Sequence, residues 1–501
     1  MIIIGVKWPE INKDTVRFFW SSNEKNPLFK KNNFYFKYEG LNIEKMPKEV
    51  FWNTFLSVMI PIFDLSKEDV LFIFPESIPS FLAETWIDFH SAANITIFPL
   101  SDKKVNLNSN SKVSKPKNSK VGILFGGGKD SSYAFSVLSE IYGIENTLLI
   151  SYVFGYNEKA IARVNKRREN MVLKPLKEEL NVKVQRVISD IQASLKNPKD
   201  IYRTNIVLFT GTVLPVILKY DISLLTHSNE FISFTTGYYD SNGSNVTKFN
   251  FRRSRPEYDN YLSERSNSFF KTNLSIKNIN YFISGLVAFK LLAKRYPHVL
   301  KHILMCETIG NPNKKWCKNC DKCATYVLYS LYTGYEQGEI DIDYFFSESP
   351  YIKNILESTK NLEPNEDGNY PWHPSIGYFG RFSNVMASID PEDVRKRTSL
   401  KGFNNFMTIR KRYGNKKLPI YESLIIPAFE KISPPYAEEI KKIITTYCPE
   451  LNNIPEYLNK KNIKTTLDYS LSCEIPKVFK VNHGKKYLDN VSNTLLKEIY
   501  K

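Results

Sequence analysis

Across 501 residues the sequence has no apolar run long enough to cross the hydrocarbon core of a bilayer, which argues against a helical membrane span. Cysteine is scarce as well. Only six are present; four fall between Cys306 and Cys323, and Cys448 and Cys473 stand alone. Secreted scaffolds held by disulfides spread their cysteines evenly through a shorter chain, so a reducing cytoplasm is the expected setting. Acidic residues are outnumbered, 52 Asp and Glu against 69 Lys and Arg, for a net charge of +17. That balance permits a polyanionic partner. The lysines are scattered rather than massed, however, so solvated surface charge is the preferred reading and nucleic acid is not the favoured partner. No internal repeat is visible. The opening residues, Met1 to Lys7, lack a basic segment and a signal-length apolar core, so they are read as a first strand rather than a targeting peptide.

What is present fits a folded protein of two or three domains, with 42% hydrophobic and 14% aromatic residues. The pattern predicts an N-terminal α+β module over 1–100. Its expected strands are Ile2–Val6, Thr15–Trp20, Phe34–Tyr38 and Val70–Pro75, with helices near Val50–Phe63 and Phe81–Ala92. Residues 101–119, rich in Ser, Asn and Lys, read as a linker. Residues 120–334 alternate strand and helix. Strands are expected at Val121–Phe125, Thr147–Phe154, Val182–Ser189 and Ile222–His227, and helices at Ser131–Tyr142, Ile161–Leu180 and Ile201–Lys219. Such alternation implies a doubly wound, parallel α/β sheet with ligands beyond the strand C-termini. The remainder, 335–501, is expected to be mostly helix and loop, with helices over Pro419–Tyr447 and Val491–Tyr500.

The most informative string joins the first of those central strands to its helix: Phe125-Gly126-Gly127-Gly128-Lys129-Asp130-Ser131-Ser132. Glycines let the backbone turn sharply and approach a ligand closely. Their amides, with the N-terminus of the following helix, make an anion site suited to pyrophosphate. Ser131 and Ser132 add hydroxyls and Lys129 adds charge. Asp130 either assists magnesium or caps the helix. The string is neither G-x-x-x-x-G-K-[ST] nor G-x-G-x-x-G. The plainer alternative is an ordinary glycine-rich strand–helix turn.

A second constellation lies downstream. Cys306 is followed by Cys317, Cys320 and Cys323, the last three at two-residue gaps. Such steps let successive sulfurs bend round one tetrahedral ion, and four thiolates leave no open position, so zinc here would be structural. An iron–sulfur cluster and a redox dithiol are the alternatives.

Other candidates follow from position. Thr226-His227-Ser228-Asn229-Glu230 is polar and follows an apolar strand, which suggests that Glu230 meets a metal or substrate amine and that Asn229 orients it. A solvated turn explains the same residues. Arg252 and Arg255, in a run of three arginines, suit a carboxylate or phosphate, as does Arg381 on a glycine-bearing segment.

The glycine string resembles the PP-loop of the ATP pyrophosphatases, with Phe125-Gly126 where that motif has serine and its first glycine. A PP-loop followed by a late cysteine cluster is similar to two related families. One is the 7-cyano-7-deazaguanine synthases. The other, nearer in its motifs, is the ATP-dependent muropeptide epimerases, which act on UDP-MurNAc-L-alanyl-L-glutamate. The shared motifs are Gly-Gly-Gly-Lys-Asp-Ser, the segment Ser228-Asn229-Glu230, and Trp316-Cys317 with Cys320, Lys322 and Cys323. They span about Val121 to Gly334. Where the epimerases carry Asn-His-Gln, this chain has Asn250-Phe251-Arg252. The resemblance implies ATP held at Phe125–Ser132 with magnesium, zinc on the cysteines, and adenylation of a substrate carboxylate with release of pyrophosphate. Lys129, Asp130, Ser131 and Glu230 are then the expected catalytic residues, and Asn229, Arg252, Arg255 and Arg381 the substrate-binding ones. A PP-loop tRNA-modifying enzyme and a non-catalytic nucleotide-binding scaffold are the remaining alternatives.

Overall fold

Two burial patterns along the chain decide the architecture. Thr15–Ser22 and Asn33–Tyr38 alternate half-buried and buried positions, as antiparallel strands with one covered face do. Val121–Leu124 and Thr147–Val153 are buried at every position, as parallel strands covered on both faces are. The computed structural model describes residues 1–23, 28–102, 120–203, 210–229, 256–306, 313–336, 341–364, 379–414, 419–452 and 475–480.

Eleven strands form one sheet: β1 (Ile2–Val6), β2 (Glu10–Asn12), β3 (Thr15–Ser22), β4 (Asn33–Tyr38), β5 (Val70–Pro79), β6 (Ile95–Ser101), β7 (Lys120–Leu124), β8 (Thr147–Val153), β9 (Lys183–Ser189), β10 (Ile222–His227) and β11 (Ser275–Asn278). The order is β11-β10-β7-β8-β9-β4-β3-β1-β5-β6, with β2 on β3. From β11 to β9 the strands run parallel, as do β1, β5 and β6. The sheet is therefore mixed rather than wholly parallel. β4 pairs antiparallel with both β3 and β9, and the register Phe36↔Ser189 welds the N-terminal strands to the central ones. Of the expected linker over 101–119, Ser101 ends β6 and residues 103–119 lie outside the described residues.

Helices cover both faces. Among them are α1 (Lys48–Asp64), α2 (Ser80–His90), α3 (Lys129–Tyr142), α4 (Glu158–Arg168), α5 (Lys174–Leu180), α6 (Leu214–Tyr220), α7 (Pro256–Phe270), α8 (Gly285–Arg295) and α9 (Asp321–Thr333). Neighbouring strand residues point to opposite faces. Val121 and Ile123 accordingly join a core with α3, α8, α9 and the C-terminal helices, while Leu124 joins a second core with α1, α2, α6 and α7.

Three expected helices differ. Ile161–Leu180 is interrupted by a π turn at Glu169–Leu173, just ahead of Pro175, whose missing N–H cannot continue the ordinary ladder. Within Ile201–Lys219 the described residues form the end of a 3-10 turn at Pro198–Arg203, a helical stretch over 210–212 and, after a break at Val213, α6, which carries a proline in its first turn. Pro419–Tyr447 contains a 3-10 turn, the short strand Leu424–Ile425, and two helices, Ile426–Ile432 and Ala437–Thr445, separated at Ser433-Pro434-Pro435. Val491–Tyr500 lies outside the described residues. No helix among the described residues is long and apolar enough to cross a membrane.

Candidate functional site

Strand order locates the crevice. From β7 the chain moves one way through β8 to β9, then returns to place β10 and β11 on the other side of β7. Ligands of open α/β sheets bind outside the carboxyl ends of the strands at such a reversal. Here the reversal lies between β7 and β10, and the two segments leaving those ends are Gly126–Gly128 and His227–Asn229.

The glycine loop is shaped by its neighbours. Phe125 N–H still donates to Ile150 O at 2.8 Å, so the chain leaves the sheet only at Gly126. Gly127 has φ +81°, and a Cβ there would lie 3.3 Å from Val172 Cγ2. Its carbonyl accepts from Leu304 N–H at 2.7 Å. Gly128 is the N-cap of α3, and a Cβ on Gly126 or Gly128 would meet nothing within 4 Å. The positive φ makes Gly127 the conformationally demanding glycine. Gly127→Ala is expected to lower stability by about 1–3 kcal/mol, the cost of a non-glycine residue held in the left-handed region. Gly126→Ala should change it by less than about 1 kcal/mol. Urea denaturation of both variants checks this, and equal losses would contradict the role given to Gly127.

Lys129 begins α3 and is only 4% exposed. Its ammonium donates to both carboxylate oxygens of Asp130, at 2.7 and 2.8 Å. Ser131 Oγ donates to Gly128 O at 3.3 Å, and Ser132 N–H to the same carbonyl at 3.0 Å. Phe125 and Gly126–Ser132 are thus together at one strand–helix junction, with a half-buried ion pair at the start of the helix.

The β10 side holds a polar network that the sequence reading only partly reached. His227 is 3% exposed, and its Nε2 lies 2.8 Å from Asp259 Oδ1 on α7. Its Nδ1 lies 3.1 Å from Asn229 Nδ2. Taking Asn229 as donor there makes Nε2–H the donor to Asp259. Burial raises the Asp259 carboxyl pKa, against the lowering effect of His227. Asn278, beside His227 on β11, accepts from Asn229 N–H at 3.1 Å and donates to Asn229 O at 2.9 Å. Asn280 Nδ2 donates to Asp130 O at 3.2 Å, which ties this network to the start of α3. Ser228 Oγ, Asp259 Oδ2 and Asn280 Oδ1 are buried with no hydrogen-bond partner among the described residues. Buried polar atoms are normally paired, so these three are candidates to meet the polar groups of a ligand.

Of the other expected site residues, Glu230, Arg252 and Arg255 lie outside the described residues. Arg381 lies on the helix Phe379–Ser388, with its side chain outside them. A small cleft lies elsewhere: among α1, α2, α6 and α7, on the sheet face away from α3, with Asn53, Trp86 and Arg265 in its lining.

The four cysteines do come together. All their sulfurs lie within 4.8 Å of one another. Sγ–Sγ distances are 3.5 Å for Cys320–Cys323, 3.7 Å for Cys317–Cys323 and 4.0 Å for Cys306–Cys320. A tetrahedron with metal–sulfur bonds of about 2.3 Å has edges of about 3.8 Å, so the sulfurs fit a single ion such as zinc. A multi-iron cluster would hold them further apart. Local backbone shapes this knuckle. Lys318 has φ +62°, Asn319 N–H points at Cys317 Sγ and Cys323 N–H at Cys320 Sγ, both at 3.4 Å. Hydrogen bonds from Cys320 and Cys323 hold the Cys306 thiol far below the ordinary range, and Cys306 in turn pushes Cys320 up to about 11. The described cysteines form no disulfide. Cys448, buried away from the cluster, has its thiol pKa pushed up to about 12 by that burial.

No family model matches this chain, and no curated protein does. The case for function therefore rests on these residues and their geometry. Arg167 was not among the residues the sequence singled out, because one arginine in a basic helix looks like surface charge. It is 6% exposed and spans three carbonyls of the cysteine loops.

Proposed function

We propose that the chain binds ATP with its phosphates at Gly126–Ser132 and cleaves it between the α- and β-phosphates to activate a carboxylate. The observation that carries this reading is the meeting of a glycine loop and a buried lysine at the strand reversal between β7 and β10. A substrate carboxylate oxygen attacks the α-phosphorus. The bond to the bridging oxygen breaks, pyrophosphate leaves and an acyl-adenylate remains; magnesium, when bound beside Asp130, would offset charge on the departing phosphates. Lys129 and the loop amides are suited to stabilising charge that develops on the phosphates. Phosphate oxygens would compete with Asp130 for the Lys129 ammonium, so Asp130 keeps that charge in place until nucleotide arrives.

The resemblance to the muropeptide epimerases favours an outcome in which the activated acyl group loses and regains its α-proton. Glu230, the residue after Asn229, is our choice of base. We assign zinc to Cys306, Cys317, Cys320 and Cys323 in a structural role, because four thiolates leave no position for a reacting group.

The test is product analysis. Incubation with ATP, magnesium and a panel headed by UDP-muramoyl peptides and 7-carboxy-7-deazaguanine is expected to give substrate-dependent AMP and pyrophosphate. ADP and orthophosphate without AMP would overturn the reading. Turnover of the deazaguanine alone would move the chain to the synthase type.

A further inference from the structure

Two separate links run from the cysteine cluster to one residue of the glycine loop. The first is the backbone leading into Cys306. Two residues before that cysteine, Leu304 N–H donates to Gly127 O at 2.7 Å. The second runs through Arg167 at the end of α4. Its Nη1 donates to Cys306 O at 2.8 Å, its Nη2 to Lys315 O at 2.9 Å and its Nε to Lys314 O at 3.1 Å. One guanidinium therefore holds the backbone on both sides of the cluster's long loop. Five residues on, Val172 in the π turn lies beside Gly127, its Cγ2 3.3 Å from where a Cβ on that glycine would be. Glu169, in the same turn, pairs with Lys177 and Arg186, which fixes the turn against α5 and β9.

We infer that Arg167 is a positioning residue that transmits the state of the cysteine cluster to the glycine loop, so that a metal ion on the four sulfurs sets the loop's geometry and its affinity for phosphate. The physical reason is a lack of slack. Gly127 is held through its carbonyl by Leu304, and Val172 bounds the space beside it where a Cβ would lie; both neighbours lead back to Cys306. Without an ion, only weak thiol hydrogen bonds hold the sulfurs at the 3.5–4.0 Å separations seen here, and thiolates at that spacing repel one another. When they separate, Cys306 and Lys315 shift, and the guanidinium and Leu304 carry the shift to Gly127. Arginine is suited to this because its planar fork fixes three acceptors at once, whereas lysine has one point charge on a flexible stem. The coupling belongs to the fold; that its output is phosphate affinity rests on the nucleotide reading above.

The experiment pairs hydrogen exchange of residues 126–132 with binding of ATP and of inorganic pyrophosphate, on the full chain. Samples are zinc-loaded wild type, chelator-stripped wild type, and Arg167→Gln and Arg167→Lys at saturating zinc. Stripping is expected to speed loop exchange and weaken both ligands by about tenfold or more, within the usual range of coupling between sites. Arg167→Gln should give part of that effect with zinc still bound, and stripping it should add the remainder, carried through Leu304. Arg167→Lys should recover only part of the effect. Zinc affinity in Arg167→Gln should fall by about 10- to 100-fold, as for loss of other outer-sphere partners. Should Arg167→Gln fail to fold, Val172→Ala breaks the second link alone: loop exchange rises and zinc affinity does not change. Loop exchange that is the same with and without zinc, or in Arg167→Gln and wild type, overturns the proposal even if nucleotide binds. Loop exchange that responds as expected, in a protein that binds neither ATP nor pyrophosphate, supports the linkage and overturns the nucleotide reading instead.

Discussion

Cys323→Ser is expected to abolish tight metal binding and to cost several kcal/mol of stability in the same stroke. Cys323 is buried at the start of α9, and its sulfur lies within 3.7 Å of both Cys317 and Cys320. Binding of structural zinc by four thiolates is worth on the order of 10 kcal/mol, and in small modules that binding energy is folding energy. Only a fraction reaches global stability here, because the cluster is one part of a much larger core. The region that feels the loss first is the start of α9 with Trp316, whose ring packs 4.2 Å from Tyr326. Metal content by elemental analysis, together with a thermal melt of wild type and variant, measures both effects. Wild type that purifies without stoichiometric metal, and a variant with the same melting temperature, would show that the sulfurs are close for packing reasons alone; a variant that keeps its zinc would remove Cys323 from the ligand set.

The second large effect is on rate. Ser131→Ala and Asp130→Ala are expected to cut pyrophosphate release by on the order of 100-fold or more, the scale of a lost transition-state contact to developing charge. Their effects on stability should differ. Ser131 Oγ makes a long bond to Gly128 O, so its loss should cost no more than about 1 kcal/mol. Asp130 faces the nearly buried Lys129 ammonium, so Asp130→Ala should cost about 2 kcal/mol, more than a lost helix cap. Asp130→Asn keeps an acceptor toward Lys129 and should recover most of that stability but little of the rate. Pyrophosphate release and thermal melts on the same preparations separate the two quantities. Full activity in both alanine variants would reduce the glycine loop to a structural turn.

Both sites were legible where their residues are close in sequence. The loop from Phe125 to Ser132 could be read because an apolar strand, glycines and a helix are contiguous, and local backbone preference decides such a junction. Cys317, Cys320 and Cys323 could be read because two-residue gaps fix sulfurs near one point. Cys306, eleven positions earlier, was reached by counting ligands, and the fold brings it in. The reading stopped where a side chain's meaning depends on a distant partner. Asp259 lies 32 positions from His227, and nothing local distinguishes it from other acidic residues of an amphipathic helix. Asn278 and Asn280 look like turn residues until β11 is set beside β10.

The sequence by itself determined that the central chain alternates strand and helix, that a glycine-rich turn joins one strand to its helix, and that four cysteines suit one ion. Strand and helix declare themselves through periods of about 2 and 3.6 residues, and a turn or a two-residue cysteine step is set by neighbours along the chain. Only the tertiary structure decided that β4 joins β9 to make one mixed sheet, that β7 and β10 flank the reversal, and that Arg167 and Leu304 tie the cysteines to Gly127. Strand pairing leaves no period of its own, because any strand edge offers the same amides and carbonyls. An arginine is a surface charge or a buried clamp according to which carbonyls the folded chain carries to it, and those carbonyls lie about 140 residues away.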